Sequence, residues 1–305
     1  MQSLIVVTGV NGFVGKHLVK ELIASGHKVI GIGREENAHE KIADDLLEYV
    51  TVDLSEAWPN LTHQPDGIIH LAGLAAVGPS FEHPQDYISL NSAMVTNLCE
   101  HYVKNSQKPR IVIVSSGAVY DPRQPMPISE KGTVSFSSPY AISKVLTEHQ
   151  AAYYTSRGLE CAVVRPFNHI GPGQLGGFLV PDLIEKIRSR SDDSSPIQVG
   201  NLETRRDYTD VRDVVSAYRL IATHPKPLQQ ALYNVCSGES LSGLEVLGTI
   251  SEVMGINIPQ TDIDRTLIRP NDVMDIRGDN SVITSEFNWT RAYSFKQTIA
   301  DILSA

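Results

Sequence analysis

The 305-residue chain is poor in cysteine, in basic clusters and in long apolar runs. Its three cysteines, Cys99, Cys161 and Cys236, are odd in number and far apart, which fits neither a disulfide framework nor a zinc site. They read as reduced, buried thiols, and no metal is expected. Lys and Arg together number 26 against 35 Asp and Glu, for a net charge of -9 and a pI near 5.6. With no run of Lys and Arg to drive phosphate binding, a nucleic-acid surface is excluded, and an anionic ligand must be met by local groups. No apolar stretch approaches the roughly 18 residues of a membrane span, and the N-terminus has neither the basic flank nor the long apolar core of a signal peptide. The expectation is a cytoplasmic protein that meets no membrane. Internal repeats and low-complexity linkers are missing too, and Ser189 to Ser195 is at most a loose loop.

What is present points to a doubly wound α/β fold. Apolar residues make up 41% of the chain and glycines number 22, which suits one large α/β domain and a smaller one. Leu4 to Val7 is a β-branched run that flows into Thr8-Gly9-Val10-Asn11-Gly12-Phe13-Val14-Gly15. A helical stripe of Leu18, Val19, Leu22 and Ile23 follows, and Ser25-Gly26 stops it. In this strand, turn and helix, Gly9 permits the tight turn, Gly12 lets backbone N–H groups approach a pyrophosphate and Gly15 lets the helix pack closely. The pattern predicts a dinucleotide site that includes Gly9, Asn11, Gly12, Phe13, Val14 and Gly15. The second strand, His27 to Ile32, ends at Gly33-Arg34, where an arginine can meet a 2′-phosphate. NADP(H) is therefore favoured, with NAD(H) possible. A third strand, Tyr49 to Val52, delivers Asp53-Leu54 beside the adenine, although Asp53 could equally cap the next turn. The fourth strand, Gly67 to Leu71, ends in Ala72-Gly73, so that Leu71, Ala72 and Gly73 leave room for the cofactor. A long helix runs through Asn91 to Val103. A fifth strand from Arg110 brings Ser115-Ser116 to the carboxyl edge of the sheet, where ligands bind in open α/β folds, and a sixth spans Glu160 to Val164.

Pro139 fits the first turn of a helix, which places Tyr140 and Lys144 one turn apart on one face. A nearby ammonium favours the phenolate, so Lys144 is expected to tune Tyr140 for proton transfer. Lowering a phenol from about 10 to about 7 takes about 4 kcal/mol. That is more than one ammonium supplies in a wet site, and an oxidised nicotinamide ring is a natural second cation.

Gly9-x-x-Gly12-x-x-Gly15, Ser116 and Tyr140-x-x-x-Lys144, in this order, resemble the extended short-chain dehydrogenase/reductase family, whose members mostly act on nucleotide sugars. The resemblance implies that Tyr140 is the general acid or base. Lys144 would bind the nicotinamide ribose and support Tyr140, and Ser116 would hydrogen-bond the reacting oxygen. Ser116 is preferred to Ser115 because it lies four residues before Tyr120. Arg165 to Gln174 and Val199 to Asp213 resemble the branch of GDP-mannose 4,6-dehydratases and GDP-4-keto-6-deoxy-D-mannose reductases, as does Ile268-Arg269-Pro270-Asn271-Asp272-Val273. This implies a GDP-sugar substrate met by Asn168, by Arg206 and Arg269 at the diphosphate, and by Asp272 at the nucleotide ribose. The dehydratases of that branch carry a glutamate where this chain has Ala118, and Gly117 lacks the aspartate of related dehydratases. Without a second acid/base, reduction of a 4-keto sugar is expected rather than loss of water. A UDP-sugar 4-epimerase holding NAD tightly, and a nucleotide-binding sensor or scaffold on the same fold, are the alternatives. The expected units are a dinucleotide domain of 1–170 plus about 205–236 and a sugar-nucleotide domain of about 171–204 plus 237–305. The resemblance also implies a homodimer formed through the helices near Asn91 and Tyr140.

Overall fold

The computed structural model describes residues 2–192, 195–267 and 273–305. Strands β1 (Leu4–Thr8), β2 (Lys28–Gly33), β3 (Glu48–Thr51), β4 (Gly67–His70), β5 (Arg110–Val114) and β6 (Glu160–Pro166) are joined by α-helices except from β2 to β3 and from β3 to β4. The helices are α1 (Phe13–Ala24), the single turn α2 (Val77–Ser80), α3 (Pro84–Lys104) and α4 (Pro139–Ser156). Downstream lie β7 (Asn168–Ile170), α5 (Leu179–Arg188), β8 (Ile197–Val199), β9 (Arg205–Asp210), α6 (Val211–Thr223), β10 (Leu232–Val235) and β11 (Ser240–Ser242). The chain ends with α7 (Gly243–Met254), β12 (Thr261–Ile263), β13 (Asp275–Ile276), α8 (Ser281–Phe287) and α9 (Phe295–Ser304).

The large sheet is wholly parallel, in the order β10-β6-β5-β4-β1-β2-β3. Its central strands are apolar on both faces because helices cover both. Ile5 and Val7 of β1, Ile69 of β4 and Val112 of β5 face α1 and α6, where they meet Leu18, Leu22, Val214 and Tyr218. The alternate residues Val6, Ile68, Ile111 and Ile113 face α3 and α4 and meet Met94, Leu98, Ala151 and Tyr154. This two-residue alternation fixes the register, since a slip of one residue would exchange the two cores. After β3 the chain returns to the other side of β1, so the strand order reverses between β1 and β4. A crevice opens at the carboxyl ends of those two strands.

A smaller sheet runs β11-β9-β13 with β7 also pairing β9, and β12 pairs β8. Helices α5, α7 and α9 bury Leu183, Ile187, Val246, Ile250 and Ile299 against Ile197 and Val199 in a core of their own. Two segments cross the boundaries expected from the sequence. β9 pairs within the smaller sheet, whereas Ile283 and Phe287 of α8, together with Trp289, enter the large core. Trp289 is held there by its indole N–H, which donates to Asp213 O at 3.1 Å. Among the described residues no helix is long and apolar enough to cross a membrane.

Candidate active site

The glycine turn is built by close approach. Gly9 has φ +66°, and a Cβ on it would stand 2.9 Å from Ala72 N. A side chain would therefore push apart the ends of β1 and β4, which are pinned by Ala72 N–H donating to Thr8 Oγ1 at 3.0 Å. Thr8 Oγ1 also hydrogen-bonds His70 Nδ1 at 2.9 Å. A Cβ on Gly15 would lie 2.5 Å from the carbonyl oxygens of Gly9 and Val10. Helix α1 opens on Gly12 with no side-chain cap and no acidic residue in its first turn, so the N–H groups around Phe13 and Val14 are left for an anion. This cradle fits the pyrophosphate of a dinucleotide. Asn11 ties the turn to the loop after β2, its amide donating to Glu35 Oε2 and Asn37 O at 3.1 Å and accepting from His39 N at 2.8 Å. The Phe13 ring lies parallel to that of His169, with centroids 6.2 Å apart.

On the adenosine side, Arg34 is exposed at the tip of β2. The sequence did not show that the Glu35 carboxylate folds back on the same tip, where Asn11 binds it and a hydrogen bond from its own backbone N–H holds its pKa below the usual range. Asp53 caps the turn after β3, its Oδ1 accepting from Ser55 N at 2.9 Å and Ser55 Oγ at 2.6 Å. The Leu54 side chain belongs to the core on the α3 and α4 face of the sheet, so only its backbone is left to meet an adenine there. Leu71 and Ala72 are half-buried, and a Cβ on Gly73 would lie 3.9 Å from Lys144 Nζ, so the end of β4 borders the lysine.

The candidate reacting groups converge from the end of β5 and from α4. Ser138 caps α4 by accepting from Ala141 N at 3.1 Å, and Pro139 opens its first turn. Tyr140 is 6% exposed and meets Tyr87 edge to face at 6.4 Å. The Ser116 side chain acts on its phenol, pulling its pKa down. Lys144 Nζ donates to Val114 O at 2.9 Å and lies 5.9 Å from the centre of the Tyr140 ring. Burial raises the Tyr140 pKa above the ordinary phenol value, and the Ser116 side chain pulls it only partly back. The lowering expected from Lys144 does not appear: burial is the main cause of the rise, and the ammonium is turned to the Val114 carbonyl. Burial also lowers Lys144 to about 8, with Glu148 opposing the fall.

The depressed Lys144 value carries a stability sign. The folded chain gives up this proton near pH 8, whereas an unfolded lysine keeps it to about 10.4. The buried charge therefore costs stability at neutral pH, and that cost is relieved as pH rises through this window. Lys144→Met is expected to stabilise the fold at pH 7 by ~1–3 kcal/mol, after allowing for the Val114 carbonyl left without its donor. Calorimetric melting checks this, and a lower midpoint would show that the lost hydrogen bond outweighs the relieved charge.

The two serines separate cleanly. Ser115 Oγ donates to Glu148 Oε1 at 2.5 Å and so points away from Tyr140, while Ser116 Oγ accepts from Ala118 N at 3.1 Å and faces the phenol. Ala118 is exposed and carries no proton, and a Cβ on Gly117 would stand 3.0 Å from the Phe167 ring. On the sugar side, Asn168 is exposed at the start of β7, in register with Tyr208 of β9. The Arg206 guanidinium donates to Arg205 O and Val273 O, both at 2.8 Å. Arg269 and Asp272 lie outside the described residues. A cavity of about 680 Å³ lies apart from this centre, lined by Tyr208, Asp210, Trp289, Arg291 and Tyr293 among others.

Asn91 was not among the expected site residues. Its Oδ1 accepts from Leu74 N at 2.8 Å and its Nδ2 donates to Ser143 Oγ at 3.0 Å, which fixes the backbone beside Lys144. The signal was an amide within the apolar stripe Tyr87, Met94, Leu98 and Tyr102 of α3.

Comparison with known proteins places these features in a wider group. The profile of the NAD dependent epimerase/dehydratase family matches residues 5–236. The chain is 30% identical to the GDP-6-deoxy-D-mannose reductase of Pseudomonas aeruginosa, covering 100% of this chain and 97% of the relative. It is 26% identical to the UDP-glucose 4-epimerase of Bacillus subtilis, over 97% and 95% of the two chains. The solved structure of MoeE5 in complex with UDP-glucuronic acid and NAD superposes with a TM-score of 0.84 at 28% identity, covering 98% of this chain and 97% of that one.

Proposed function

Since the chain belongs to the NAD dependent epimerase/dehydratase family, which is the extended short-chain dehydrogenase/reductase group, we propose that it reduces the 4-keto group of GDP-4-keto-6-deoxy-D-mannose. The product is GDP-D-rhamnose, or GDP-6-deoxy-D-talose if hydride reaches the opposite ring face. The observation that carries this reading is the solitary acid: buried Tyr140 beside Ser116 and Lys144, and exposed Ala118 where a second acid/base would stand. Dehydration needs that second group, and ketone reduction does not.

When bound, a reduced nicotinamide supplies the hydride. Ser116 Oγ holds the ketone oxygen, and Tyr140 gives it a proton. Its raised pKa keeps the phenol protonated at neutral pH, which favours the acid role over the base role of the reverse direction. Lys144 stabilises the phenolate that forms, and the N–H groups at the start of α1 hold the pyrophosphate. Asn168, Arg206, Arg269 and Asp272 are assigned to the GDP-sugar. NADP(H) is favoured by Arg34, while the Glu35 carboxylate on the same tip counts for NAD(H). A second copy of the chain would pack on α4, where Ile142, Leu146 and Tyr153 stand exposed at helical spacing.

The deciding experiment supplies purified protein with GDP-4-keto-6-deoxy-D-mannose made in situ, follows NADPH and NADH oxidation in parallel, and identifies the product by NMR. Consumption of reductant with a new hydroxyl at carbon 4 supports the reductase and fixes the face. Interconversion of UDP-glucose and UDP-galactose with copurified NAD and no added reductant would replace it with the epimerase. Binding of the sugar nucleotide without either turnover would leave the sensor or scaffold.

A further inference from the structure

Glu148 takes part in none of the steps above, yet among the described residues it is the carboxylate on α4 that is bonded to Ser115 at the end of β5. It lies one turn beyond Lys144 on α4, as Lys144 lies one turn beyond Tyr140. Its side chain is 13% exposed, and that of its partner Arg165 is 5% exposed. It accepts from Arg165 Nε at 2.8 Å and Nη2 at 2.5 Å, a two-pronged pair that anchors α4 to β6. Arg165 is held from its other side by the Tyr120 ring, whose centre is 4.6 Å from the guanidinium carbon. Through the 2.5 Å bond from Ser115 Oγ, Glu148 also anchors α4 to the end of β5. That end contains Val114, whose carbonyl receives Lys144, and Ser116, whose hydroxyl meets Tyr140.

We propose that Glu148 is a positioning residue: its bond to Ser115 turns Ser116 towards Tyr140, and its charge balances the Lys144 ammonium one turn back on the same helix. The first part follows from alternation along an extended segment, where Ser115 and Ser116 must face opposite ways, so drawing Ser115 inward sets Ser116 outward. The second follows from the charges present. The groups facing Lys144 are Tyr140 and Glu148 on its own helix and His70 from β4, with Tyr87 of α3 packed against Tyr140 and Arg165 of β6 beyond Glu148. His70 is held neutral by burial, which lowers it to about 3, and the two phenols are raised, so Glu148 is the only anion among them. Without it, Lys144 would share its pocket with the Arg165 cation alone. The catalytic part of this inference rests on the reductase reading, whereas the charge part does not.

The test uses the full chain labelled with ¹³C at lysine Cε, with the Lys144 signal assigned by its loss in Lys144→Met. In Glu148→Gln the Lys144 titration midpoint should fall by about one pH unit, and the alkaline limb of kcat should move down with it. Ser115→Ala should leave the midpoint in place and lower kcat about tenfold at unchanged cofactor affinity. Glu148→Asp, which keeps the charge but shortens the reach, should restore the midpoint and not the full kcat. A folded Glu148→Gln protein with the midpoint unmoved overturns the charge role, and wild-type kcat in Ser115→Ala overturns the positioning role. If Glu148→Gln does not fold, Glu148→Asp and Ser115→Ala decide the matter. A midpoint that shifts in a protein that reduces no ketose-bearing nucleotide would uphold the charge role and remove only the reductase reading.

Discussion

Tyr140→Phe is expected to lower kcat and kcat/KM together by about 10³-fold, close to 4 kcal/mol of transition-state free energy, while cofactor and sugar-nucleotide dissociation constants stay within a factor of a few. The substitution removes one oxygen from a ring that is otherwise retained: the residue is 6% exposed and its edge-to-face packing on Tyr87 at 6.4 Å needs no hydroxyl. The loss is therefore chemical, the proton delivered to the ketone oxygen. Equal losses in both constants would mark an interaction made only in the transition state. Ser116→Ala should lose less alone, and the double variant should lose little more than Tyr140→Phe, because the two hydroxyls act as a unit. Steady-state kinetics with direct measurement of cofactor binding checks this. A mutant retaining a tenth of wild-type kcat would mean that the proton comes from elsewhere.

Arg165→Met is expected to give the largest loss of stability, about 3–5 kcal/mol. The guanidinium is almost wholly buried, and its removal leaves the Glu148 carboxylate inside the fold with the Ser115 hydroxyl as its hydrogen-bond partner and the Lys144 charge one turn away. Two effects reduce the loss without reversing it. Met fills much of the stem's volume over the Tyr120 ring, and Arg165 Nη1 is itself buried without a partner, so the native pair is not fully satisfied. The double variant Arg165→Met with Glu148→Leu should regain part of the stability, since it removes the unpaired carboxylate, although buried Lys144 then loses the anion one turn away. Denaturant unfolding of the four proteins in this cycle measures the coupling. Additive losses would show that the pair contributes through packing alone.

The parallel sheet was legible because its signal is local and repeated. Each of β1, β4 and β5 is a short β-branched run, and each is followed by a helical stripe or a polar turn. The glycine turn was legible for a related reason: the backbone tolerates no side chain at Gly9, so the residue type records the geometry. Tyr140 and Lys144 were paired by helical spacing alone. The direction of the Leu54 side chain was not legible, because its place at the end of β3 is the same whether that side chain faces the crevice or the core. Asp53 stayed ambiguous for want of any local mark separating a capping carboxylate from a ligand.

By itself the sequence determined the α/β class, the glycine turn and the pairing of Tyr140 with Lys144, all of which rest on residue type and short spacing, while Ser116 and the missing acid at Ala118 rested on family resemblance. Only the tertiary structure decided which serine faces Tyr140, that burial raises rather than lowers the phenol, and that Glu148 and Asn91 hold the site from behind. These depend on contacts between residues 17 to 52 positions apart, brought together by the packing of α3, α4, β5 and β6. Burial and partner charge set the chemistry of a titratable group, and both are properties of that packing rather than of any stretch of chain.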